Sequence, residues 1–122
     1  MIVSIDECSS DPLYKQIHDQ IIAGIATGEL EPGMSLPSVR SLASDLGINL
    51  HTVNKAYTVL RQEGFVNIDR RRGAVIAVDV NKARALQEMK ETLAILLAKG
   101  SCRNISKEEV HALIDEIYEE YE

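Results

Sequence analysis

Apolar residues return at helical spacing along most of this chain and switch to strand-like runs once, between Phe65 and Val78. Leu13, Ile17, Ile21 and Ile25 recur every four residues with Tyr14 and Ile22 beside them, so a first helix runs to about Thr27 with one apolar stripe. Asp11-Pro12 starts it, with an oxygen acceptor at the N-cap and a proline at the first helical position, where a missing N–H costs nothing; Gly28 ends it. Ahead of it, Ile2 to Ile5 alternates over a run too short for more than an edge strand or an ordered arm. Pro32-Gly33, within ELEPGMS, marks a turn in which glycine takes a φ that other residues avoid.

The stretch from Leu36 to Leu60 holds two short periodic segments around Gly47-Ile48-Asn49, a spacing that leaves room only for a sharp turn between two helices. The earlier helix begins near Pro37, buries Val39, Leu42, Ala43 and Leu46, and is stopped by Gly47. Asn49 caps the next helix, in which Val53, Ala56, Tyr57 and Leu60 point inward. That leaves Leu50, His51, Asn54, Lys55, Thr58 and Arg61 facing out, with Thr52 at the margin. Such a helix-turn-helix places its second helix in the major groove of DNA. Gln62-Glu63-Gly64 closes the helix, and Phe65–Asp69 and Ala74–Val78 then flank Arg70-Arg71-Arg72-Gly73 as a β-hairpin. A hairpin after a helix-turn-helix is the wing of a winged helix.

Beyond Asn81 the pattern narrows to a seam: Ala83, Leu86, Met89, Leu93, Leu96 and Leu97, ending at Gly100. Ser101 to Asn104 reads as a loop. Ser106 opens a last helix with Glu109 three residues on, a capping box, and Val110, Leu113, Ile114, Ile117, Tyr118 and Tyr121 form its stripe. Two such helices cannot bury both stripes on each other alone, and the simplest partner is a second copy of the chain. The expected fold is mainly α with a small β-hairpin: a winged helix-turn-helix over residues 1–78, then a two-helix C-terminal dimerisation tail over 79–122.

Composition adds limits rather than detail. At 122 residues, 45% hydrophobic and 26% charged, the chain is one ordinary domain with an appendage, neither disordered nor membranous. No apolar run approaches the roughly 18 residues of a spanning helix, and MIVSIDECSS carries an acidic pair where a signal peptide would be positive, so no membrane partner and a cytoplasmic location are expected. Cys8 and Cys102 match no ligand or redox spacing, and His18 and His111 read as surface or boundary residues. No metal and no cofactor are therefore expected. No residues converge as nucleophile, base and oxyanion donor, which argues against an enzyme.

Charge changes the picture more. A net of −6 argues against a nucleic-acid partner until its distribution is read. Residues 1–35 set Asp6, Glu7, Asp11, Asp19, Glu29 and Glu31 against Lys15, and residues 79–122 are also acidic. Residues 36–78 carry Arg40, Lys55, Arg61, Arg70, Arg71 and Arg72 against Asp45, Glu63 and Asp69. The only net positive segment is the helix-turn-helix with its wing, and three adjacent arginines at a hairpin tip repel one another unless a polyanion relieves them.

The order Pro12-Leu13-Tyr14, Ile17, Ile21, Ile25, Gly28, Leu30, Pro32-Gly33, Leu36-Pro37-Ser38, Arg40, Leu42-Ala43, Leu46, Asn49, Thr52-Val53, Ala56-Tyr57, Leu60, Glu63-Gly64 resembles the GntR family of bacterial transcription regulators over roughly residues 11–78. The short two-helix tail is similar to the YtrA subfamily, in which it serves dimerisation. The resemblance implies a homodimeric repressor of an operon, transporter-linked, reading a pseudo-palindromic double-stranded operator. It places Arg40, His51, Thr52 and Asn54 at the DNA, with Arg70, Arg71, Arg72 and Gly73 reaching the minor groove; Ser38, Asn49, Leu50 and Lys55, on the same elements, complete the expected DNA-binding set. Leu50 stands where many family members are polar or basic, a departure that takes away a polar base contact and leaves only an apolar one, to a thymine methyl, open there. The wing has arginine where relatives often have Gly-x-Gly. The tail has too little volume for a ligand cavity within one chain, which leaves the dimer interface for any small-molecule effector. The rival expectation is a winged helix used as a protein-interaction module, distinguished by failure to retain DNA.

Overall fold

Helix α1 spans Leu13–Thr27, α2 Val39–Leu46 and α3 Leu50–Gln62; strands β1 (Val66–Asp69) and β2 (Gly73–Ile76) follow, then helices α4 (Lys82–Cys102) and α5 (Lys107–Glu119). The computed structural model describes residues 3–121 and divides into two compact units between Asp79 and Val80.

In the first unit, helix α1 starts one residue later than the sequence suggests. Pro12 has extended backbone, φ −56 and ψ 149, and occupies the N-cap position with no side-chain cap. The Pro12 carbonyl accepts from Lys15 and Gln16, while the Asp11 carboxylate pairs with Lys15 at 3.5 Å instead of capping. Of the N-terminal run, Ile2 lies outside the described residues, and Val3–Ile5 is an arm rather than a strand. Two glutamines of α1 hold it: Gln20 exchanges hydrogen bonds with the Ser4 backbone and Gln16 with that of Asp6.

Gly47 links α2 to α3 with φ +66, a left-handed conformation that other residues adopt only with strain. Helix α2 starts at Val39 with Ser38 as its N-cap, and its Val39 and Leu46 are half-buried rather than fully buried. Inward faces of α1, α2 and α3 close one core, with Ile17 and Ile21 meeting Leu42, Ala43, Val53, Ala56, Tyr57 and Leu60. Val66, Ala74 and Ile76 cap the core from the hairpin. Complete burial of Ile17, Ile21 and Leu60 contributes about 1.5–3 kcal/mol each.

The hairpin pairs Val66 with Ile76 through Asp69 with Gly73, so Phe65, Ala77 and Val78 lie outside its strands. Sequence reasoning missed that β2 also pairs along its other edge. Ser35 bridges Val75, Leu36 N–H donates to the Ala74 carbonyl and Ile76 N–H to that of Met34, each at 2.8 Å. A one-residue bridge thereby ties the α1–α2 connection to the wing, just after a turn at Pro32-Gly33 in which Gly33 has φ +92.

In the second unit, α4 runs through Gly100 to Cys102, two residues past the expected stop. A glycine ends a helix only by turning left-handed, and here Asn104, φ 62, takes that conformation. The loop is therefore Arg103–Ile105, closed by Ile105 N–H donating to the Gly100 carbonyl at 3.0 Å. The capping box is present, with Ser106 and Glu109 each satisfying the other's backbone N–H. Neither tail helix has a buried residue.

Candidate nucleic-acid interface

The outward face of α3 carries His51, Asn54, Lys55, Thr58 and Arg61, all exposed, with Thr52 half-buried at its edge. Leu50 is 39% exposed at the start of the same helix. Asn49 caps α3, its Oδ1 accepting from His51 N–H at 2.8 Å, which leaves its amide NH₂ as the outward donor. Thr58 donates to the Asn54 carbonyl one turn back. Lys55 leans away from this face: its ammonium lies 4.0 Å from the centre of the Tyr14 ring on α1.

Arg40 stands exposed in the first turn of α2, where free backbone N–H groups and the helix dipole also favour an anion. Ser38 is committed as the N-cap, its Oγ accepting from Ser41 N–H at 3.0 Å, yet its hydroxyl proton is still available to donate. Tyr57 sets the distance between α2 and α3. Its hydroxyl donates to the Pro37 carbonyl at 2.7 Å, and burial pushes its pKa well above the ordinary phenol value, so it stays a neutral donor.

A cleft of about 260 Å³ opens between these elements. Pro37, Ser38 and Val39 of the α2 entry form one wall; Asn54, Tyr57, Thr58 and Arg61 of α3 form the floor; Ile68, Gly73 and Ala74 of the wing form the other wall. It brings Ser38, Asn54 and Gly73 together from three elements. Leu50, His51 and Arg40 lie outside it, as do Arg70, Arg71 and Arg72 at the wing tip. Sequence reasoning placed Arg61 on the outward face of α3 without assigning it to the DNA, and did not single out Ile68. Arg61 could have been assigned, since it is the last outward cation of α3. Ile68 could not, because an apolar strand residue reads as core, whereas here it is 56% exposed.

Behind this face, His18 of α1 bonds through Nδ1 to Asp19 at 2.8 Å and through Nε2 to Glu63 at the end of α3. Partial burial alone would lower the His18 pKa, but the two carboxylates outweigh it and raise it above its ordinary value. A histidine expected to be a bland boundary residue thus ties α1 to α3.

A helix-turn-helix with a cationic wing, built on a three-helix core, defines a winged-helix DNA-binding protein. Residues 13–76 match the model of the gntR family of bacterial regulatory proteins, and the chain belongs to that family, whose members are DNA-binding transcription regulators and not enzymes. It is similar to the HTH-type transcriptional repressor YtrA of Bacillus subtilis (strain 168), at 35% identity over 119 residues that span 95% of this chain and 92% of the relative. Among solved structures it resembles YtrA from Sulfolobus acidocaldarius, a GntR-family transcription factor, at 48% identity and TM-score 0.62, over 77% of this chain and 99% of that one. It also resembles a transcriptional antiterminator from Listeria monocytogenes EGD-e, at 28% identity and TM-score 0.87, over 99% and 92% of the two chains.

Proposed function

We propose that this regulator is a cytoplasmic homodimeric repressor that reads a pseudo-palindromic operator, with residues 1–78 as the DNA-binding domain and 79–122 as the dimerisation tail. The observation that carries the reading is the coincidence of donors and cations on three adjoining surfaces, the outer face of α3, the first turn of α2 and the wing tip, in a chain that is acidic elsewhere. Helix α3 enters the major groove, with His51, Thr52 and Asn54 at base edges and Leu50 against a thymine methyl. Arg40 meets the DNA beside the α2 N-terminus, and the wing arginines reach the minor groove.

The tail supplies the second copy. Leu86, Met89, Leu93, Leu96 and Leu97 of α4, and Val110, Leu113, Ile114, Ile117, Tyr118 and Tyr121 of α5, carry its apolar surface. An isologous pairing of two tails would cover it and set two recognition helices about one helical turn of DNA apart, or a multiple of it. By family resemblance the target is an operon, transporter-linked; the small volume of the tail leaves the dimer interface as the place for any effector.

The test is to select bound fragments from genomic DNA and titrate the chosen duplex by fluorescence anisotropy over a range of salt. Arg40→Ala should cost on the order of 1–3 kcal/mol in affinity if the side chain meets a base. If it meets a phosphate, it should flatten the log–log salt slope by about 0.9 per chain. An Arg40→Ala isotherm identical to wild type at every salt overturns the role of Arg40. Failure of the wild-type chain to retain any duplex overturns the operator reading.

A further inference from the structure

The wing tip carries three arginines, and the structure does not treat them alike. Asp69 closes the β1 side of the tip, its Oδ1 accepting hydrogen bonds from the backbone N–H of Arg71 at 2.7 Å and of Arg72 at 3.0 Å. Those bonds fix the path of a connection that like-charge repulsion would otherwise open. The Arg72 side chain then turns from the tip to the α1–α2 turn, where its Nη2 donates to the Gly33 carbonyl. Gly33 is bound to the wing a second time, its own N–H donating to the Ile76 carbonyl at 2.8 Å. One guanidinium thus links the tip of the hairpin to the turn that leads into the Ser35 bridge. A hydrogen bond from a cation to a carbonyl is stronger than a neutral one, so this link competes well with solvent. The side chains of Arg70 and Arg71 are exposed and make no hydrogen bond or ion pair among the described residues.

We propose that Arg72 is a positioning residue for DNA binding: it pins the wing tip to the α1–α2 turn, and the tip's charge contacts with DNA fall to Arg70 and Arg71. This rests on the operator reading above and divides labour among three residues that the sequence presents as equivalent.

The experiment uses the full chain and a fluorescein-labelled random-sequence duplex, long enough at roughly 30 base pairs for two half-sites and their flanks. Wild type, Arg70→Gln, Arg71→Gln, Arg72→Gln and Arg72→Lys are titrated at several salt concentrations. Arg70→Gln and Arg71→Gln should each flatten the salt slope by about 0.9 per chain. Arg72→Gln should weaken binding several-fold at every salt with the slope unchanged, and quicken amide exchange at Leu36 and Ile76. Arg72→Lys should recover most of the affinity, because an ammonium can still donate to the Gly33 carbonyl. The proposal is overturned if Arg72→Gln flattens the slope as Arg71→Gln does, or binds as tightly as wild type. A wild-type chain that binds no duplex overturns the DNA reading itself, and the division of labour with it.

Discussion

The winged unit and the tail are built from helices of comparable local quality, yet they differ completely in burial. Ser38, Asn49, Asn81 and Ser106 each cap a helix with a side-chain oxygen, so α2 and α3 in one unit and α4 and α5 in the other start on the same terms. In the first unit those helices close on a core in which Ile17, Ile21, Val53, Ala56 and Leu60 are wholly excluded from solvent. In the tail Leu93, Leu97, Ile114 and Ile117 remain 39–42% exposed, and no residue of either helix is buried. Capping satisfies backbone groups at a helix end but supplies little of a helix's stability, most of which comes from packing its apolar face. The first unit holds its own packing; the second presents a face in need of another surface, which on our proposal is the same face of a second chain.

That contrast can be broken at either end. Leu60→Ala, in the core of the winged unit, should cost about 2–5 kcal/mol through lost burial and the cavity left behind, read as a lowered denaturation midpoint. Leu93→Asp should leave the winged unit folded but place a charge in the proposed tail interface, raising the dimer dissociation constant on the order of 100-fold, as measured by analytical ultracentrifugation. If Leu93→Asp sediments like wild type at every concentration, the dimer surface lies elsewhere. Ser106→Ala removes half of the capping box and should cost about 1 kcal/mol, seen as lost helicity of the tail on thermal melting.

The smallest expected effect lies in the first unit, at His18. Because the folded-state pKa of His18 is raised, its bonds to Asp19 and Glu63 contribute stability that is fully present below the unfolded value of 6.5. That contribution is lost as pH rises through the higher folded value. Wild type should therefore lose a little stability on going from mildly acidic to mildly alkaline solution, and His18→Gln should flatten this part of the profile. Equal pH profiles for the two proteins would remove His18 as a link between α1 and α3.

Much of this fold was legible in the sequence, because its helices obey period and cap rules that act within a few residues. The inward set Val53, Ala56, Tyr57 and Leu60 emerged from spacing alone and is buried as expected. What stayed hidden depends on partners far along the chain. Nothing in the sequence couples Arg72 to a carbonyl 39 residues away, or His18 to a carboxylate 45 residues away. The tie between the α1–α2 connection and the wing is one bridge and a few backbone bonds, made by Met34, Ser35 and Leu36 without an alternating pattern. Gly100 misled because glycine is tolerated inside a helix, and its role as a stop passed to Asn104. At the interface, exposure of His51, Asn54 and Arg40 could be read from helical phase, whereas the turn of Lys55 toward Tyr14 could not.

On the dimer proposal, the tail brings two winged units to one duplex. Sedimentation of the full chain with a genomically selected duplex, monitored separately for protein and DNA, measures this directly. Two chains per duplex are expected for wild type, with Leu93→Asp binding as single chains and far more weakly. A wild-type complex with one chain per duplex across the whole titration would contradict it.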